Sequence, residues 1–217
     1  MSELTLSGGL LIIISSPSGA GKTSISQKIL ENDPRVMFSI SATTRAPRVG
    51  ETEGVEYYFK SEAEFKMMIK SGEMLEYATV FGNKYGTPRG PVEFALSKGR
   101  DVLFDVDWQG GTQIRNSSLS AYVVSVFILP PSIHELEKRL VGRGQDSVET
   151  VSDRMTRSKE EISHWSEYDY VLVNSDIETV QMEINAIISA ERIRRIRRNA
   201  LTQFVKQLDE EYSERLK

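Results

Sequence analysis

Residues 10–23 read Leu10-Leu11-Ile12-Ile13-Ile14-Ser15-Ser16-Pro17-Ser18-Gly19-Ala20-Gly21-Lys22-Thr23. The leading aliphatic run has the length and β-branching of a strand buried on both faces of a parallel sheet. The turn after it is close to G-x-x-x-x-G-K-[ST]. In that motif glycines let backbone N–H groups curl around phosphate oxygens, and the following helix adds its positive N-terminal end. Lys22 is placed to reach β- and γ-phosphates, and the Thr23 hydroxyl to bind Mg²⁺. Ser16 stands where the pattern has its first Gly. The context agrees with the motif, because a helix from Lys22 to Glu31 follows and Asp33-Pro34 stops it. A Gly-rich turn without a ligand is the alternative, but it would leave Lys22 at a helix N-terminus, where positive charge is disfavoured.

Further short strands are predicted at Val36–Ile40, Val102–Phe104, Tyr122–Leu129 and Tyr170–Val173. Helical patterns lie between several of them, including Ser132–Leu140 and a long one from about Ile177 to the C-terminus. Strands alternating with helices predict an α/β fold with a parallel sheet. The stretch 41–96 is richer in Gly, Tyr and Glu. Short strands at Glu56–Phe59 and Met74–Val80 flank a helix at Glu62–Lys70, so it reads as an insertion with its own small mixed sheet. A second insertion, 142–158, is dense in charge and opens on Gly142-Arg143-Gly144, as a hinged lid would. The remaining segments, 1–40, 97–141 and 159–217, form the core.

The 217 residues carry 27 basic and 31 acidic side chains, a net charge of −4, and no cysteine. Duplex nucleic-acid binders are usually basic overall, so an anionic ligand here needs a local cluster. Disulfides, thiol catalysis and thiolate metal sites are excluded, which suits a reducing compartment. No apolar run is long enough to span a membrane, and no export signal is evident, so a cytoplasmic protein is expected.

A phosphate-binding loop alone leaves GTPase, ATPase, kinase and motor open. Ser41-Ala42-Thr43-Thr44-Arg45-Ala46-Pro47-Arg48-Val49-Gly50-Glu51 narrows the choice. Its paired arginines, with Tyr57 and Tyr85 downstream, suit a second phosphate group, since guanidinium forks match phosphate oxygens. Glu76, a lone carboxylate, suits a base edge offering two adjacent N–H donors, as guanine does. Asp105 and Asp107 end the apolar run Val102-Leu103-Phe104 two residues apart, so both side chains are expected on one face of that strand. Ligands of α/β sheets bind at that edge. Helix capping or salt bridging is the alternative for this pair.

From about residue 9 to 185 the sequence resembles the guanylate kinase family. The matching residues are the loop at 16–23, Thr43-Thr44-Arg45-Ala46-Pro47-Arg48 with Gly50-Glu51, Gly54, Tyr57, Phe59, Glu76, Tyr85-Gly86-Thr87, Asp105-Val106-Asp107 with Gln109-Gly110, Pro130-Pro131-Ser132, Arg139-Leu140, Gly142-Arg143-Gly144 and Val173-Asn174. The resemblance implies a core, a GMP-binding insertion and a lid, with reversible transfer of the ATP γ-phosphoryl group to GMP. By that resemblance Ser16, Pro17, Ser18, Gly19, Ala20, Gly21, Lys22, Thr23 and Ser24 would hold ATP, with Asn174 near adenine and Mg²⁺ on Thr23. Ser41, Arg45, Arg48, Tyr57 and Tyr85 would hold the GMP phosphate, and Glu51 would orient the arginines. Glu76 and Thr87 would read guanine, with Asp105 and Asp107 at its edge. Lys22, Arg45, Arg139, Arg143 and Arg154 would be the catalytic cations. A kinase-like binding module and a kinase for another nucleoside monophosphate are the rivals. Intact Gly21-Lys22-Thr23 opposes the first, and Glu76 with Thr87 the second. ATP and GMP are the partners implied, with no nucleic acid or membrane; a homo-oligomer is left open.

His134 and His164 lack a ligand pattern and read as surface groups, and Met67-Met68 as helix core. The run Arg192 to Arg198 has apolar positions 193, 196, 200 and 204 at helical spacing. It predicts a packed helix with a solvated basic face, with RNA, membrane or partner binding through that face as the alternative.

Overall fold

A computed structural model of the chain describes residues 8–80, 82–142, 148–198 and 200–216. The strands are β1 (Leu11–Ser15), β2 (Val36–Phe38), β3 (Ser41–Thr43), β4 (Tyr57–Phe59), β5 (Met74–Val80), β6 (Asn83–Pro88), β7 (Asp101–Asp105), β8 (Val123–Leu129) and β9 (Tyr170–Val173). The helices are α1 (Lys22–Asn32), α2 (Glu62–Lys70), α3 (Arg89–Ser97), α4 (Trp108–Arg115), α5 (Ile133–Gly142), α6 (Val148–Ser163), α7 (Ile177–Arg192) and α8 (Ala200–Arg215).

Strands β2-β7-β1-β8-β9 form a parallel sheet, with Ile13 opposite Phe104 and Ser125. Alternation along β1 divides the core between two faces. Leu10, Ile12 and Ile14 pack with Ile25 and Ile29 of α1 and with Val180, Ile184 and Ile188 of α7. Leu11 and Ile13 pack on the other face with Val92 and Ala95 of α3 and Ile114 of α4. Both faces are covered, so β1 shows no polar alternation. The parallel α/β core expected from sequence is the observed one.

A four-stranded mixed sheet, β4-β3-β6-β5, lies between β2 and α3 in the chain, with β3 parallel to β4 and antiparallel to β6. Phe65 of α2, Ala42 and Met74 form its small core. Helix α2 opens with a capping box, Ser61 with Glu64, which satisfies two end donors reciprocally. Met68 packs beside this core but Met67 is exposed, so only one of the adjacent methionines fills it.

The C-terminal region departs from the expectation of one packed helix. Helix α7 ends at Arg192, a 3-10 turn spans Arg195–Arg197, and α8 begins at Ala200. The cause is a buried ion pair. Arg197 donates to Glu191 at 2.9 Å and to the carbonyls of Ala121 and Val123, with Arg197 7% and Glu191 5% exposed. Six residues apart on one helix, these two side chains would point to different faces, so the chain must turn for them to meet. Ile193 and Ile196 are exposed instead of packed, and no residue of α8 is buried. Arg192 is likewise not solvated: it forks onto Asp101, a fully buried carboxylate that also accepts the Leu10 N–H. Among the described residues no helix is long and apolar enough to cross a membrane.

Candidate active site

The loop between β1 and α1 is shaped by its backbone. Gly21 sits at φ 100°, in the left-handed region, and a Cβ there would lie 2.4 Å from Asn174 Nδ2. Only glycine meets both demands. Asn174 is buried, and its amide donates to the Ala20 carbonyl at 2.7 Å. The structure thus places Asn174 behind the loop as a brace. Its own carbonyl accepts from Arg139 Nη2 at 3.3 Å, and Arg139 Nε donates to Glu135 at 3.1 Å. Helix α1 has no side-chain cap and no acidic residue in its first turn, where Thr23 and Ser24 are exposed. Lys22 pairs with Asp105 at the carboxyl end of β7.

Asp107 does not continue β7. The strand ends at Asp105, and Asp107 caps α4, accepting the Gly110 N–H at 2.9 Å. An Asp side chain at a helix N-cap satisfies an amide the helix cannot. The shared-face expectation fails for that reason, although both carboxylates still line the same cleft.

On the small sheet, Glu51 gathers the arginine loop. It accepts from Arg45 Nη2 at 2.8 Å and from the Arg48 backbone N–H at 2.7 Å. The Arg45 guanidinium lies 5.4 Å from the Tyr57 ring centre, and Tyr57 meets Tyr85 edge-on at 6.0 Å. Arg48 itself is exposed.

Glu76 on β5 is only 5% exposed, and the Thr87 hydroxyl of β6 donates to it at 2.8 Å. Burial pushes its carboxyl up to about 7. The Thr87 hydrogen bond opposes the shift, and the charge of Asp107 adds to it. Gly110 makes room for this carboxylate, because a Cβ there would lie 2.9 Å from Glu76 Oε2. Gln113 of α4 fixes β5 at the next residue, taking the Tyr77 N–H at 3.0 Å and donating to its carbonyl at 2.8 Å.

A cleft of about 710 Å³ joins these parts. The structure brings Ser18, Ser41, Tyr57, Glu76, Tyr85, Asp105, Asp107 and Arg154 onto its walls. Thr87 lines an adjoining recess with Ser41 and Tyr57. Lys22, Thr23, Arg45, Arg48, Glu51, Arg139 and Asn174 are not on these walls, and Arg143 falls outside the described residues. Trp108, Arg157, Glu160 and Glu161 also line the cleft and were not anticipated. Arg157 and Glu161 follow Arg154 at helical spacing; Arg157 lies within the expected lid, whereas Glu161 lies beyond its end at 158 because α6 runs on to Ser163. His164 is no idle surface group: its ring stacks on Trp108 at 3.7 Å and its Nδ1 meets Glu167 at 2.5 Å. Among the described residues no group of three or more His, Cys, Asp or Glu is placed to hold a metal.

The guanylate kinase family model matches residues 9–191. Guanylate kinase of Cereibacter sphaeroides is 58% identical over 207 residues, covering 95% of this chain and 98% of that protein. The Ruegeria pomeroyi guanylate kinase is 56% identical over 206 residues, 95% of this chain and 97% of that one. A crystal structure of guanylate kinase from Anaplasma phagocytophilum superposes with a TM-score of 0.75 at 38% identity, covering 93% of this chain and 95% of that chain.

Proposed function

This chain belongs to the guanylate kinase family, and on that premise we propose that it transfers the γ-phosphoryl group of ATP to GMP, reversibly, giving ADP and GDP. The observation that carries the reading is the buried Glu76, hydrogen-bonded to Thr87 and on the same cleft as Ser18 of the phosphate-binding loop. Guanine offers adjacent N1–H and amine donors to a carboxylate, whereas adenine presents a bare acceptor there. A buried charge facing an acceptor loses its partner, which costs several kcal/mol.

Ser16, Pro17 and Ser18 lead the chain into the turn, and the N–H groups from Gly19 to Ser24 at the α1 N-terminus take the ATP phosphates, with Asn174 holding the loop's shape from behind. Lys22 sits between that site and Asp105, where a cation can follow charge onto the transferring group. Arg45, oriented by Glu51, together with Arg48, Ser41, Tyr57 and Tyr85, takes the GMP phosphate. Arg154 approaches from α6, and Arg139 supports the Asn174 backbone; Arg143 joins them only by resemblance. Asp105 and Asp107 stand at the edge between the two substrates.

Thr23 is one hydroxyl ligand for Mg²⁺, which fits an ion that keeps several waters and draws its other ligands from substrate phosphates. Bound there, Mg²⁺ would neutralise phosphate charge. The core is 1–40, 97–141 and 159–217, the GMP-binding insertion 41–96 and the lid 142–158, with the lid helix continuing to Ser163. Closure of the two insertions would exclude water and suppress ATP hydrolysis. A cysteine-free chain acting on free nucleotides belongs in the cytoplasm. A coupled ADP-release assay with ATP, Mg²⁺ and each of GMP, AMP, CMP and UMP tests the reading. GMP alone should sustain turnover, and equal turnover with AMP would overturn it.

A further inference from the structure

Helix α6 adds no residue to the apolar clusters of the core, and its Val151, Met155 and Ile162 are only half-buried. Among its described side chains only Ser158 is buried, and its hydroxyl is used within the helix, on the Arg154 carbonyl. Two specific contacts tie its C-terminal end to other elements. At its base the His164 ring stacks on Trp108 of α4. Three residues earlier the Glu161 carboxylate accepts the backbone N–H of Ser18 at 3.1 Å, a direct tie from the lid helix to the phosphate-binding loop. Burial raises the Glu161 carboxyl, while the Ser18 hydrogen bond and the charge of Lys22 act against that rise.

Two anchor points on different elements fix both the tilt and the rotation of a helix. Arg157 is four residues before Glu161 and Arg154 seven, so all three share one face, spread over about 10 Å of axis. With Glu161 on the loop, that face lines the cleft.

We infer that Glu161 is a positioning residue for the phosphoryl transfer: its bond to the Ser18 amide pins the lid helix to the loop in the rotation that turns Arg154 and Arg157 toward the cleft. The inference rests on α6 being the lid. An acceptor oxygen is what the latch needs, so Gln can replace Glu at this position and Ala cannot. The contrary account is that the carboxylate competes with ATP phosphate for the loop, in which case its removal should help.

The chain has no cysteine, so two can be added cleanly. Gln27→Cys on α1 and Lys159→Cys on α6, both exposed, carry spin labels for a distance measurement without substrate. The parental and Glu161→Gln proteins should give the same narrow distribution, and Glu161→Ala a broader or longer one. In turnover, Glu161→Ala should lose about tenfold or more in kcat, the scale of one charge-assisted hydrogen bond, with the KM for GMP within about twofold. Glu161→Gln should stay within about threefold of the parent. Thermal melts of both variants check that the fold is kept. A parental distance distribution in Glu161→Ala overturns the latch. So does kcat within about twofold of the parent, or a gain in activity with a lower KM for ATP. If the parent fails to phosphorylate GMP, the functional reading falls while the distance measurement still decides on the latch.

Discussion

Replacing Glu76 by Gln keeps the volume of a side chain that is 5% exposed and removes its charge. A guanine held by the carboxylate makes two charge-assisted hydrogen bonds, each about 1.5–3 kcal/mol. The amide keeps one acceptor and turns the other into a donor facing a donor. The loss is then about 3 kcal/mol, on the order of 10²-fold in kcat/KM for GMP, carried by KM, with the KM for ATP unchanged. The pH dependence sharpens the test. The Glu76 carboxyl titrates at about 7, so roughly nine-tenths is ionised at pH 8 and about one-tenth at pH 6. The advantage of the parent over the Gln variant should therefore shrink nearly tenfold between those values, and taking the ratio cancels titration of the GMP phosphate. Stability runs the other way. A carboxyl raised from 4.5 to about 7 on folding leaves the folded state holding more protons in that window, so stability falls as pH rises through it. Glu76→Gln escapes this and should melt higher than the parent at pH 8, with the difference gone by about pH 4. Steady-state kinetics at pH 6, 7 and 8 with differential scanning fluorimetry reads both. An unchanged kcat/KM, or a parent-to-variant ratio flat with pH, refutes the assignment of Glu76 to guanine.

Lys22→Ala should lower kcat by about 10²-fold or more with little change in the KM for GMP, because it removes a cation that acts on transition-state charge; single-turnover kinetics would show it. Arg197→Ala should cost about 3 kcal/mol or more of stability by leaving the buried Glu191 carboxylate without this partner, read as a lowered midpoint in urea. Gln113→Ala releases both hydrogen bonds to Tyr77 and should raise the KM for GMP by about threefold to tenfold with kcat nearly kept, since it loosens the strand that carries Glu76.

The legible part of the fold was the part governed by local chemistry. An all-aliphatic run before a Gly-rich turn signals a strand covered on both faces, and β1 is that strand, with Ile12 and Ile13 facing different helices. The residues Met74–Val80 and Glu62–Lys70 match β5 and α2 to the residue. What could not be read depends on contacts between distant positions. The break after α7 exists because Arg197 reaches Glu191 and two carbonyls near β8, while helical spacing of apolar residues argued for continuity. Asp107 left the strand because the amide of Gly110 needed a cap. On the site side, residue type pointed to Glu76 and the family resemblance to Glu51, and the structure pairs them with Thr87 and Arg45. Neither sign marked Gln113 or Trp108, because each acts through a partner, Tyr77 or His164, that is distant in sequence.

A buried carboxylate that chooses guanine directs the phosphoryl group to that nucleotide. Incubation of the protein with γ-labelled ATP, Mg²⁺ and equal amounts of GMP and AMP, followed by chromatography of the products, tests it directly. The label should appear in GDP, with incorporation into the β-phosphate of ADP lower by roughly 10⁴-fold, as expected of a site built to hydrogen-bond groups that adenine lacks. Label entering ADP at a comparable rate, or appearing only as inorganic phosphate, would contradict it.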